Sequence, residues 1–197
     1  MSIKNLKVTA MPQLIPQSEL TIKYIDYWKQ EALSAYRNKS LTPIALKERD
    51  LEFYHYKKSA LNGVFFVMSL DNTEIAYLYA YEKCTVAGKP KAAEALAYTF
   101  KMEARGLMKE VFFDHLLPYV GFIVTDSMYT PDGKKWFEAE YATAFDRKHK
   151  VYSIDLSTNA VSEVDRADFH KVVPLYWGTE EEFQKYRFAI ELAGVPK

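Results

Sequence analysis

The spacing of apolar positions changes several times along the chain, and each change predicts a new element. Leu6–Ala10 reads as a short edge strand, after which Pro12 and Pro16 delay any helix. From Ser18 onward, Thr21, Tyr24, Ile25, Trp28, Ala32, Ala35 and Tyr36 recur at helical intervals and predict a helix with one buried face. Thr42 and Pro43 read as the cap and first turn of a second helix, carrying Leu46, Phe53, Tyr54, Lys57, Ala60 and Leu61, which Asn62-Gly63 stops. Val64–Leu70 and Glu74–Tyr81 are β-rich runs joined by Asp71-Asn72-Thr73, the pattern of an antiparallel hairpin. Pro90 then opens a stripe of Ala93, Leu96, Ala97, Phe100, Ala104, Leu107, Met108 and Val111, which predicts a long helix to Asp114. Gly106 inside that stripe costs about 1 kcal/mol relative to alanine and marks a kink or a close helix contact.

Pro118 closes this helix in the sequence reading. Tyr119–Thr125 is a nearly continuous apolar run, expected of a central strand buried on both faces. It leads through Asp126–Gly133 into a helix with Trp136, Phe137, Tyr141, Ala144 and Phe145 on its buried face. Val151–Leu156 follows as an alternating strand, so residues 119–156 predict a strand, helix, strand crossover. Beyond it the pattern predicts a hairpin return at Ala160–Val164 and a strand at Val172–Trp177. Thr179 and the glutamates after it start a final helix that reaches about Leu192. The 197 residues read as a single domain, 1–197, of α/β class, in which helices flank a mixed sheet and an extra helix precedes the central strand.

Charge narrows the partners. Lys plus Arg and Asp plus Glu each number 26, so no global field draws nucleic acid or an anionic membrane to the surface. The lone cysteine, Cys84, excludes an intramolecular disulfide and a CxxC pair; it reads as a buried structural thiol in a reducing compartment. Residues 1–11 lack the apolar core of a signal peptide and no run of about 18 apolar residues occurs, so a cytoplasmic location is expected. His55, His115, His149 and His170 are scattered, with no HxxxH or HExxH spacing, and no metal is expected. Ser127 lacks the GxSxG elbow of a hydrolase. Aromatic residues are abundant, with 15 Tyr, 12 Phe and 3 Trp, and two uses are open: filling the core and its margins, or forming a face for a protein partner.

Chemistry is best sought where a strand feeds a helix start, because free backbone N–H groups and partial positive charge converge there. The segment from Asp126 to Lys134 has that form, with Gly133 as its only glycine. It reads either as a phosphate cradle or as a plain helix entry, with Thr130 as cap and Pro131 as the first helical residue.

Over about residues 18–156 the order of elements, two helices, a hairpin, a central strand, a loop, a helix and a strand, resembles the GNAT superfamily of N-acetyltransferases. The family's coenzyme loop carries Gln or Arg, two residues, Gly, one residue, then Gly or Ala. Thr130-Pro131-Asp132-Gly133-Lys134-Lys135 matches at Gly133, with Thr130 in the amide or basic position and Lys135 in the second small position. The resemblance implies acetyl-CoA or another acyl-CoA as cosubstrate, contacted by Val124, Thr125, Thr130, Gly133, Lys134 and Lys135, and N-acyl transfer as the activity. Acyl transfer to an amine requires a base and donors to the thioester carbonyl. Asp126 stands as base and Tyr129 as proton donor, while Asp126 reads equally as an Asx-turn residue. The rival reading is a catalytically silent relative that binds or inhibits a protein partner through its aromatic surface.

Overall fold

In the computed structural model, which describes residues 13–14, 22–39, 41–46, 51–86, 89–101, 106–124, 128–129, 131–155, 157–176 and 186–194, a two-residue strand β1 (Gln13–Leu14) precedes helix α1 (Ile22–Arg37). The expected strand at Leu6–Ala10 lies outside the described residues. The chain divides into two compact units: Thr21–Glu82 with Ala95–Leu116, and Met1–Leu20 with Lys83–Glu94 and Leu117–Lys197.

In the unit that begins at Thr21, α1 buries Ile25, Trp28, Ala32 and Ala35 of the predicted face together with Leu33, while Tyr24, assigned to that face, stands exposed. The expected second helix is instead a strand, β2 (Phe53–Lys57), paired antiparallel with β3 (Asn62–Met68). Phe53 and Tyr54 are adjacent in sequence and both buried. A strand sends neighbours to opposite faces and can bury both, whereas a surface helix buries one stripe. The predicted hairpin is present: β3 pairs antiparallel with β4 (Ile75–Val86), from Asn62↔Glu82 to Met68↔Ile75. Val64–Met68 are buried without alternation because both faces are covered. Tyr54, in register with Phe66, meets Tyr36 of α1, while Phe53 and Tyr79 meet His115 and Phe112 on the other face.

The long helix expected from Pro90 begins late. Lys89–Thr99 form strand β5, and among the described residues that follow, helical structure comprises α2 (Leu107–Glu110), a π-helical turn (Val111–Leu116) and α3 (Leu117–Val120). Alanine's helix preference is worth only a few tenths of a kcal/mol over most residues. In β5 the consecutive Ala92 and Ala93 are both fully buried, and β5 lies between β4 and β6 (Phe122–Val124) in the strand order. Burial of both faces overrides propensity. Pro118 does not end the helix; Gly121 does, with φ +82° and its N–H donating to the Leu117 carbonyl.

The other unit centres on β6. Of the run Tyr119–Thr125 read as a central strand, Phe122–Val124 form the buried strand β6, Tyr119 and Val120 belong to α3, and Thr125 lies outside the described residues. A second two-residue strand, β7 (Met128–Tyr129), pairs parallel with β1, and α4 (Pro131–Asp146) leads to β8 (Lys150–Asp155) and the short β9 (Val161–Glu163). Residues 166–176 form helix α5 (Arg166–Tyr176), where a strand was expected from Val172; its Phe169 packs on Tyr141, Phe145 and Phe188. The expected C-terminal helix is corrected to β10 (Tyr186–Glu191), inserted antiparallel between β6 and β8. Four successive β10 residues, Arg187–Ile190, are buried, which needs two covered faces and a central place in a sheet. Since β6 and β8 each run antiparallel to β10, they are parallel to one another, so the predicted crossover through α4 exists with one strand between its arms.

The strand order is β2-β3-β4-β5 in the first unit and β4-β5-β6-β10-β8-β9 in the second, with β4 and β5 contributing residues to both. The class is α/β, a mixed sheet with helices. Among the described residues, no helix is long and apolar enough to cross a membrane.

Candidate functional site

The site is built at the C-terminal end of β6. This strand has a parallel neighbour on one side, Ala92↔Phe122 to Glu94↔Val124, and an antiparallel neighbour on the other, Glu191↔Phe122 to Ala189↔Val124. Cys84, Val86, Ala92, Phe122, Val124, Ile154 and Ala189 pack into one apolar cluster behind it. Cys84 is a buried thiol there, as its isolation in the sequence predicted.

Where the β5–β6 ladder stops, Arg187 of β10 reaches Glu94 of β5, its Nη1 donating to Oε1 at 2.8 Å. The two residues lie on the strands either side of β6, so the ion pair spans the end of β6. The Arg187 side chain is 5% exposed and that of Glu94 is 23% exposed. A guanidinium this buried needs a compensating carboxylate, and Glu94 supplies it.

On the neighbouring strand, Tyr152 opposes Ala189 and its hydroxyl donates to Glu191 Oε2 at 2.6 Å. Burial first, then the hydrogen bond and the negative charge of Glu191, hold the Tyr152 phenol well above its ordinary pKa. It therefore stays a neutral O–H donor throughout the physiological range.

The residues expected to form the coenzyme and catalytic constellation fall as follows. Val124 is the last residue of β6, buried, with Glu94 and Ala189 as its register partners. Thr125, Asp126 and Thr130 lie outside the described residues. Tyr129 is in β7, in register with Leu14. The helix starts at Pro131, as the cap reading expected, so Gly133 and Lys134 belong to the first turn of α4 and Lys135 follows as an exposed helical residue. Val124, Tyr129 and the first turn of α4 thus lie on three successive elements, β6, β7 and α4.

Two features escaped the sequence reading, and a third was read only in part. The Glu94–Arg187 pair joins residues 93 positions apart, and no local pattern announces it. Glu140 is completely buried on α4; it stands three residues after Phe137 and four before Ala144, so its place on the apolar stripe was a readable signal. Gly106, with φ +85°, immediately precedes α2, and its cost inside a helical pattern was the signal there.

No family model matches this chain, and no curated protein matches it. Among solved structures it is similar to a cAMP-binding acyltransferase from Mycobacterium smegmatis, at 12% identity and a TM-score of 0.41, with 90% of this chain and 54% of that one covered. The chain spans about half of that protein's length.

Proposed function

We propose that the chain is an acyl-CoA-dependent N-acyltransferase of GNAT-like layout. The observation that carries this reading is the parallel step from β5 through the helical segment 107–120 to β6, next to the antiparallel β2-β3-β4 strands and followed by the β6, α4, β8 crossover. Ligands of mixed sheets gather at the C-terminal ends of parallel strands, where helix N-termini present free amides. In this reading the first turn of α4, with Gly133, Lys134 and Lys135, takes the phosphates of acetyl-CoA or another acyl-CoA, next to Val124, Thr125 and Thr130. Asp126 deprotonates the acceptor amine and Tyr129 returns a proton to the departing thiolate. The Glu94–Arg187 pair ties β5 to β10 across the end of β6 beside this place.

Thermal unfolding with acetyl-CoA tests the reading. Ligand at 100 times its dissociation constant stabilises the fold by about 2.7 kcal/mol. Gly133→Glu should remove that shift, and thiol release in the presence of amines should require Asp126. Absence of any shift at millimolar acetyl-CoA would rule the reading out.

A specific observation favours the silent, partner-binding alternative. Tyr24 and Tyr27 stand exposed on α1, each edge-on to the buried Trp28, and the Lys58 ammonium lies 4.6 Å above the Tyr27 ring centroid. If this face holds a protein, Tyr24→Ala with Tyr27→Ala should abolish capture of that partner and leave the far-UV circular dichroism unchanged.

A further inference from the structure

Two successive amides beyond β10 are held by partners of different kinds. Leu192 N–H donates to the Gly121 carbonyl at 2.9 Å, whereas Ala193 N–H donates to Nδ1 of His149 at 3.1 Å. The strand register brings these groups together: Glu191 opposes Lys150, so the residues after Glu191 run beside the residue before Lys150. His149 is itself placed by the end of α4. Its N–H donates to the Ala144 carbonyl at 2.8 Å, the Lys148 N–H donates to the Phe145 carbonyl at 3.0 Å, and Lys148 has φ +61°, which together make a left-handed helix stop.

The bond to Ala193 fixes the protonation of the imidazole. A backbone amide only donates, so Nδ1 offers its lone pair and the ring is neutral, with its proton on Nε2. A proton on Nδ1 would set one N–H against another, and the bond is lost. The carbonyl that holds Leu192 takes up no proton in this range, so neighbouring amides respond differently to acid.

The charged side chains on the elements that meet at His149 are Asp146 and Arg147 at the end of α4, Lys148 in the turn, Lys150 of β8 and Glu191 of β10. Asp146 accepts from Arg166, Lys150 is paired with Glu163 at 2.8 Å, and Glu191 accepts from Tyr152. Each of these carboxylates therefore already has a side-chain partner.

We infer that His149 is a pH-sensitive latch on the segment that follows β10: its neutral ring holds Ala193, and proton uptake at Nδ1 releases that segment while Leu192 stays docked. The latch is independent of acyl transfer. Ala193 and Gly194 are exposed, so release uncovers no core. The docked form leaves Nδ1 bare, whereas the released imidazole takes up its proton near an ordinary pKa of about 6.5. Docking is thus complete at higher pH and is lost as pH falls through that value. Between pH 7.5 and 5.5 the balance moves about tenfold toward release.

Amide exchange with water in the full chain, followed by saturation transfer and expressed relative to the intrinsic rate at each pH, tests this. Protection of Ala193 should fall about tenfold from pH 7.5 to 5.5, with that of Leu192 constant. Imidazole ¹⁵N shifts at pH 7.5 should place the His149 proton on Nε2. His149→Asn, whose amide oxygen accepts without titrating, should remove the pH dependence at Ala193. A proton on Nδ1 at pH 7.5, protection of Ala193 that does not change with pH, or an unaltered pH dependence in His149→Asn would overturn the assignment.

Discussion

Breaking the Glu94–Arg187 pair should destabilise the protein asymmetrically, and the asymmetry follows from exposure. At 2.8 Å and an effective dielectric constant of about 20, the gross attraction is roughly 6 kcal/mol, which desolvation of both groups largely offsets. What matters is the group left behind. Glu94→Gln strands a guanidinium that is 5% exposed, and should cost about 3 kcal/mol. Arg187→Met leaves a carboxylate that is 23% exposed and can recover part of its hydration, so about 2 kcal/mol is expected. The double variant removes both charges and should lose no more than the larger single loss, giving a coupling of about 2 kcal/mol. Urea denaturation of the four proteins, followed by circular dichroism, measures the cycle. Single losses that add to within about 0.5 kcal/mol of the double would refute the reasoning, because independent sites behave that way.

Two glycines should respond to alanine for different reasons. A methyl on Gly63 would lie 2.6 Å from the Tyr56 carbonyl oxygen and 2.6 Å from the Tyr81 hydroxyl, so Gly63→Ala should cost about 2 kcal/mol or more in urea denaturation. A methyl on Gly121 meets nothing within 4 Å, but φ is +82°, so Gly121→Ala should cost only about 1 kcal/mol of backbone strain. In the β3–β4 turn, Asp71 accepts from the Ser69 hydroxyl, the Thr73 hydroxyl and the Thr73 amide, which together lower its pKa to about 2. Its stabilising effect is therefore complete above about pH 4 and is lost as pH falls toward 2; Asp71→Asn should flatten that part of the acid-unfolding curve. A carboxyl ¹³C titration that places Asp71 near 4 would contradict this.

Elements whose own residues decided their fate were legible. The α1 stripe through Ile25, Trp28, Ala32 and Ala35, the β3–β4 hairpin around Asp71-Asn72, and the helix entry at Pro131 all follow from periodicity or turn chemistry within a few residues. The interior position of Phe122–Val124 was also readable, since an unbroken apolar run has to be covered on both sides. These signals are local, and local energetics reinforced the final structure. Of the catalytic and coenzyme positions read from the sequence, Val124 is at the end of β6 and Gly133 to Lys135 are in α4.

Tertiary structure decided the rest. Lys89–Thr99 is alanine-rich and helical by preference, yet it is a strand because β4 and β6 flank it. Tyr186–Glu191 follows an acidic, helix-like stretch, yet it fills the gap between β6 and β8. Phe53 and Tyr54 fit a helical face until both faces of a sheet become available to bury them. The same holds for polar pairs: Glu94 finds Arg187, and Glu52 finds Tyr36, only once distant segments are brought together. Sequence pattern reports which surface a segment must hide, while the partner that hides it is chosen by long-range packing, whose free energy exceeds the few tenths of a kcal/mol per residue that separate one local preference from another.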